Sequence, residues 1–239
     1  MSTRHPPARF IEPPPLGYIH VAAAVQPPTG RAPLPGGSPE RAALLDRLKS
    51  LARQLEGQQE VVKATVYRAV VVTPVGGYAK QARHPARYDV VVLIETTSPE
   101  VIPAVQATEP YKLLLEAVTG ATDDIHVMTA RCVRRIGDVD KTRPGLFLFN
   151  YFVAEDPELA LRIWEQLAGW YVAETGLDNS TLLAPIGDAD YVLVNHARWD
   201  LSLPGFMLRQ FTKPSFRAQV PGKMRANRIG AMPLLYRLT

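Results

Sequence analysis

Two hydrophobic rhythms run along this chain, stripes at helical spacing and short continuous apolar runs, and their order repeats once. Tyr18 to Val25 is apolar-rich and predicts a strand, followed by a loop dense in Pro and Gly, Gln26 to Gly37. Ser38-Pro39-Glu40 has the marks of a helix start: a capping hydroxyl, Pro at the first helical position and an acid in the first turn. Leu44, Leu45, Leu48, Leu51 and Leu55 then form one stripe, and Gly57 stops it. Val61 to Thr73 is rich in β-branched residues and predicts a second strand. After a Gly/Pro/basic loop, Pro74 to Arg87, the run from Tyr88 to Glu95 predicts a buried third. Ser98-Pro99-Glu100 opens a second helix, interrupted at Pro103 and Pro110 and resumed from Tyr111 to Val118. Ile125 to Val133 predicts a fourth strand. The order is βαββαβ.

From Pro144 the order recurs. Leu146 to Val153 predicts a strand, and Asp156-Pro157-Glu158 repeats the cap, Pro and acid signature. Ile163, Trp164, Leu167, Trp170 and Tyr171 give the following helix its apolar face before Gly176. Ser180 to Ile186 and Tyr191 to Trp199 predict strands joined by a turn at Gly187-Asp188. Pro204 to about Asn227 predicts a helix broken at Pro214, and Ala231 to Leu238 closes the unit. The repeat is more than element order: Gln106-Ala107-Thr108-Glu109-Pro110 and Gln210-Phe211-Thr212-Lys213-Pro214 share Gln-x-Thr-x-Pro at the same place in each copy, with an aromatic just after. A proline in mid-helix lacks the N–H and clashes with the preceding turn, so each copy should break there.

A βαββαβ unit carries both helices on one sheet face, and an apolar second face must be covered. Val90 to Ile94 and Phe147-Leu148-Phe149 are apolar on both sides rather than alternating. The expected fold is therefore α+β: two tandem ferredoxin-like repeats, packed sheet to sheet as an internal pseudo-dimeric barrel. The expected division is a Pro-rich arm over 1–16, a first repeat over 17–140 and a second over 141–239.

Composition narrows the setting. The sequence has no apolar stretch near the 18–20 residues that cross a bilayer, and the N-terminal segment lacks the apolar core of a signal peptide. A single cysteine, Cys132, precludes an internal disulfide and fits a reducing compartment, so a cytoplasmic location is expected. A net charge of +4 does not suggest a nucleic-acid binder. No acid follows Asp200, whereas Arg209, Lys213, Arg217, Lys223, Arg225, Arg228 and Arg237 do; the acid-rich stretch from Glu155 to Asp200 is a natural counterweight. There is no phosphate loop, dinucleotide glycine fingerprint or hydrolase elbow.

Asn150 on the opening strand of the second copy, the Tyr191 to Trp199 strand, and in each half a Thr-x-Pro helix break followed within two residues by an aromatic (Tyr111, Phe216) resemble the dimeric α+β barrel superfamily, in particular its antibiotic-biosynthesis-monooxygenase type. That resemblance, over about residues 17–239, implies the barrel fold. Its members include cofactor-independent oxygenases of polycyclic phenols, haem-degrading enzymes and proteins of no known activity. It also implies a pair fused here that is more often formed by two chains. Asn150 and Trp199 match two residues of the haem-degrading branch, but its histidine is absent: Val220 and Leu115 stand four residues after Phe216 and Tyr111. No cofactor is expected.

Oxidation without a cofactor requires an electron-rich substrate, a desolvated pocket and a polar group for its deprotonated form. Asn150, Trp199 and His196 are the candidate catalytic residues; Asn195, Arg198, Arg209, Phe206 and Phe216 are the candidate substrate-binding ones. Strand alternation puts Asn195 and Trp199 on one face and His196 and Arg198 on the other, and the sequence leaves open which face lines the barrel. His196 is the candidate base if its face does. Against these readings, His196 and Asn195 could serve only backbone groups, and Trp164 and Trp170 are core formers by habit. His20 and His126, without a carboxylate at ligand spacing, make a poor metal site, and Cys132 reads as a buried small hydrophobe. The expected partner is a small hydrophobic or aromatic molecule, with no nucleic acid or membrane, and with homo-oligomers open. The alternatives are a non-catalytic ligand-binding or assembly module of the same fold and, third, a haem binder.

Overall fold

The computed structural model describes residues 5–28 and 33–239; the side chains of 210, 211, 214 and 217–219 lie outside what it describes. The start of the arm, part of the Gln26 to Gly37 loop and the Arg217 side chain thus fall outside the described residues. The first half runs β1 (Gly17–Ala23), α1 (Pro39–Glu56), β2 (Val61–Val72), β3 (Val90–Thr96), α2 (Ile102–Ala107), α3 (Glu109–Thr119) and β4 (Ile125–Gly137). The second runs β5 (Leu146–Ala154), α4 (Pro157–Thr175), β6 (Ser180–Pro185), β7 (Leu193–Trp199), α5 (Leu203–Phe211), α6 (Pro214–Ala226) and β8 (Ile229–Leu238).

Local chemistry accounts for the helix ends. The Ser38 hydroxyl accepts from the Arg41 N–H at 3.2 Å, and Asp156 accepts from the N–H groups of Glu158 and Leu159. Gly176 terminates α4 at φ 72°, a left-handed conformation suited to glycine. The prolines of the repeated motif act as starters: Pro110 and Pro214 each open a new helix, where the missing N–H costs nothing. The Thr108 and Thr212 hydroxyls donate to Val105 O and Leu208 O, closing the preceding helix in each half.

Each half forms a four-stranded sheet, β4-β1-β3-β2 and β8-β5-β7-β6, and every pairing is antiparallel. The sheets curl with concave faces together, and hydrogen bonds between β2 and β8 and between β4 and β6 close them into one eight-stranded barrel. This is the expected pseudo-dimer, with its two halves joined edge to edge as well as face to face. No sheet edge among these strands is left unpaired.

Aromatic residues fill the lumen. Tyr18, Tyr67, Tyr88, Phe147, Phe149, Tyr151, Tyr191 and Tyr236 pack there around His20, His126 and His196, mostly edge to face. On the outside, α1, α2 and α3 cover the first sheet through an almost wholly aliphatic core that includes Val21, Leu48, Leu55, Val92 and Leu114. Helices α4, α5 and α6 cover the second sheet with Trp164, Leu167, Trp170 and Phe206.

The arm is docked. Within it Ala8 is buried against α4, Phe10 lies 5.8 Å from the Trp164 ring, and Ile11 bridges to Arg135 on β4. Gly169 of α4 permits the approach, because a Cβ there would stand 2.4 Å from Pro6 O. Part of the basic segment is balanced as its composition suggested: Lys213 pairs with Glu174 and Arg228 with Glu155. Among the described residues no helix is long and apolar enough to cross a membrane.

Candidate functional site

Strand alternation on β7 resolves the question of faces. Val194, His196 and Arg198 point into the lumen, while Asn195, Ala197 and Trp199 point towards the helices. Asn150, directly opposite Asn195 on β5, points the same way. These outward residues floor a cavity of about 250 Å³ between the second sheet and α4, α5 and α6. Leu148, Phe152, Pro233 and Leu235 complete the floor; Trp164, Leu167, Tyr171, Phe206, Phe216, Val220 and Met224 form the walls and roof. Met207, 38% exposed, lies at its border on α5, so the cavity reaches the surface there.

The cavity is apolar apart from a few convergent groups. Trp199 is fixed by its indole N–H donating to the Thr175 hydroxyl at 3.2 Å and by the Phe206 ring at 4.8 Å. The Ser180 hydroxyl donates to Asn195 Oδ1 at 2.6 Å, which turns the Asn195 amide N–H₂ away from that oxygen and leaves it as a donor. Thr73 is spent on Pro233 O at 2.7 Å. Asn150 Oδ1 is buried and finds no hydrogen-bond partner among the described residues. A buried acceptor left unmatched costs about 1–3 kcal/mol, so this atom invites a ligand donor. Burial pushes the Tyr171 phenol up, keeping it neutral.

Asn150, Asn195, Trp199, Phe206 and Phe216 thus meet at one cavity. The other sequence-derived candidates stand elsewhere. His196 lies on the far side of the sheet, where its Nδ1–H donates to Leu148 O at 3.1 Å and its Nε2 accepts from the Tyr67 hydroxyl at 3.1 Å. Its ring stacks on Phe149 at 4.3 Å, and burial holds its pKa well below the ordinary histidine value. Arg198 closes one end of the lumen: it donates to Pro144 O at 2.8 Å, pairs with Asp200 and lies over the Phe147 ring. Arg209 is exposed, with its guanidinium 3.5 Å from Thr175 O. Trp164, which its helical position marked as core, is core and cavity wall at once, whereas Trp170 packs against Phe216 and donates to the Ser215 hydroxyl. The roof residues Leu167, Val220 and Met224 carried no sequence signal beyond helical periodicity.

The first half has no counterpart. Strands β3 and β7 are both seven residues long, and matching them end to end sets Val92 against Asn195 and, through the cross-strand pairs, Val21 against Asn150. The amides of the cavity are replaced there by packed valines.

The cavity's donor set is a poor match for a haem: among the described residues no histidine or cysteine lines it, Tyr171 is kept protonated by burial, the thioethers Met207 and Met224 have no histidine to act beside, and the lumen histidines open onto the opposite face of the sheet. No group of three or more His, Cys, Asp or Glu among the described residues is placed to hold a metal. Cys132 is buried and its thiol is pushed up to about 11, so it is an inert core residue.

No protein-family model matches the chain, and no curated protein matches it. Solved structures do. An anthrone oxidase-like protein is similar at a TM-score of 0.67 and 15% identity, over 97% of this chain and 94% of its own. A putative monooxygenase from Fusobacterium nucleatum is similar at 0.58 and 6% identity, over 95% and 94%. A putative chlorite dismutase is similar at 0.52 and 13% identity, over 94% and 95%. At these identities the likeness is one of fold, and it spans both halves of each chain. The chain has the dimeric α+β barrel fold, with two ferredoxin-like units in one chain.

Proposed function

We propose that this protein binds a small phenol-like aromatic molecule in the cavity of its second half and oxidises it with dioxygen, without a resident cofactor. The observation that carries the reading is Asn150 Oδ1, an acceptor unpartnered among the described residues, in a largely apolar chamber. A substrate hydroxyl donates to that oxygen while Trp199 and Phe206 flank the rings. At about 250 Å³ the chamber is slightly smaller than the usual ligand site, roughly 300–1,000 Å³, and suits a compact molecule of two or three fused rings.

The reaction that fits is oxidation of a methylene activated by neighbouring phenol or keto groups. Two C–H bonds break, one oxygen atom of O₂ becomes the new carbonyl, and the other leaves as water with both hydrogens; the substrate supplies the electrons. Among the described residues no carboxylate or histidine lines the chamber, so the substrate's own acidity must supply the carbanion. The Asn195 amide N–H₂, and Asn150 after rotation of its amide, donate to the resulting oxyanion in a water-poor site. The anthrone oxidase-like neighbour makes anthrone-type compounds the first to try.

Oxygen uptake with a panel of anthrones and hydroquinones tests the proposal. Turnover lost in Asn150→Ala and Trp199→Ala supports it; no turnover with any compound, and no change of binding in either variant, overturns it. The lack of an ionisable base in the chamber favours a second reading, ligand binding without chemistry, for which binding without oxygen uptake is the signature.

A further inference from the structure

Strands β2 and β8 run on from the cavity floor to a second, polar hollow of about 570 Å³, bordered by Arg68, Gly145, Leu201 and Arg237 and sharing no lining residue with the cavity. Val71 and Leu235 are cross-strand partners in the cavity floor, and the next outward-facing pair along is Arg68 and Arg237. Leu235 and Arg237 are two residues apart on one strand, about 7 Å. The two arginines therefore stand side by side just beyond the apolar chamber.

Like charges directly opposite one another on antiparallel strands are unfavourable, and among the described residues no direct ion pair offsets them. Among the described residues neither Arg68 nor Arg237 has an ion-pair partner. Asp200, which also borders the hollow, is already held by Arg198 and by Arg143 at 3.2 Å. Two planar guanidinium groups with free donors match a carboxylate, which accepts from both.

We infer that Arg68 and Arg237 bind the carboxylate of an amphipathic aromatic acid whose rings lie in the cavity. The inference rests on the ligand reading given above and names its substrate class: a fused-ring phenol with an acid at the far end. The spacing agrees. Asn150 faces Pro233 across the β5–β8 ladder, and Arg237 lies four residues further along β8, about 13 Å between backbones. Once the asparagine and arginine side chains extend towards each other, a naphthalene with hydroxyl and carboxylate at opposite ends bridges the remainder.

Calorimetric titration of the full chain with 2-naphthol and 6-hydroxy-2-naphthoate tests this. The acid should bind roughly tenfold more tightly at low ionic strength, the sum of two partly exposed charge contacts, and the ratio should shrink with added salt. In R68Q, R237Q and the double variant the ratio should fall towards one. Equal affinity in the native protein, or an undiminished ratio in the double variant, overturns the inference while leaving the cavity reading in place. Binding of neither compound overturns both.

Discussion

His20 is fully buried in the lumen, with Phe149 and Tyr151 against its ring, and this environment pushes its pKa down to about 3. Burial lowers His126 and His196 as well. In the unfolded chain each titrates near 6.5, so as the pH falls below that value the unfolded state takes up protons that the native state refuses. Stability is then full above about pH 6.5 and declines with acidity, for His20 down to its native value of about 3. Between pH 7.5 and 4.5 His20 alone should remove about 2–3 kcal/mol, and the other two act in the same direction. Against a total of roughly 5–15 kcal/mol, that is enough to bring the barrel close to unfolding before ordinary carboxylates titrate. Urea denaturation followed by circular dichroism at half-unit steps gives the slope of stability against pH. His20→Phe, which installs the residue type of its counterpart Phe149, should lower that slope by about one proton, or about 1.4 kcal/mol per unit. A slope near zero between pH 6.5 and 5, or one unchanged in the variant, would refute the account of the lumen.

Further expectations follow from single contacts. Asn150→Val, which restores the first half's residue, should weaken 2-naphthol binding about tenfold and leave naphthalene unaffected, as calorimetry would show. Trp199→Ala should cost about 3–5 kcal/mol by urea titration, because it removes both a wall and the Thr175 hydrogen bond. Gly230→Ala should destabilise by about 1–3 kcal/mol, since its Cβ would meet Ala79 backbone atoms at 2.5 Å. His196→Leu, the residue of its counterpart Leu93, should lower stability through loss of its two hydrogen bonds yet preserve ligand binding; loss of binding in a folded variant would return His196 to the site.

The barrel was largely legible because its evidence is local and doubled: helix caps, breaks and strand runs recur in order, and two helix ends carry the same motif. The candidate cavity was legible in part. Asn150, Asn195, Trp199, Phe206 and Phe216 meet as a group because one strand face and one helix face pack together. What periodicity could not decide is which face of β7 looks inward, since both are buried: Val194 and Asn195 differ in polarity, yet neither is exposed. The cavity therefore lies outside the barrel, and His196 and Arg198, candidates by proximity in sequence, are separated from it by the sheet. The docking of Ala8 and Phe10 depends on contacts with residues more than a hundred positions away, which no local pattern carries.

Closure of the barrel also sets how the chain must fold. The seam between β2 and β8 joins segments far apart in sequence, as the Val66–Thr239 contact across 173 positions shows. Such a contact order makes closure slow relative to formation of each half. Until it happens, β2 presents an open edge beside tyrosines meant for the lumen. An unclosed barrel of that kind would be open to pairing with another copy, so a dilute, slightly alkaline refolding buffer, which keeps the histidines neutral, should raise the yield of closed monomer.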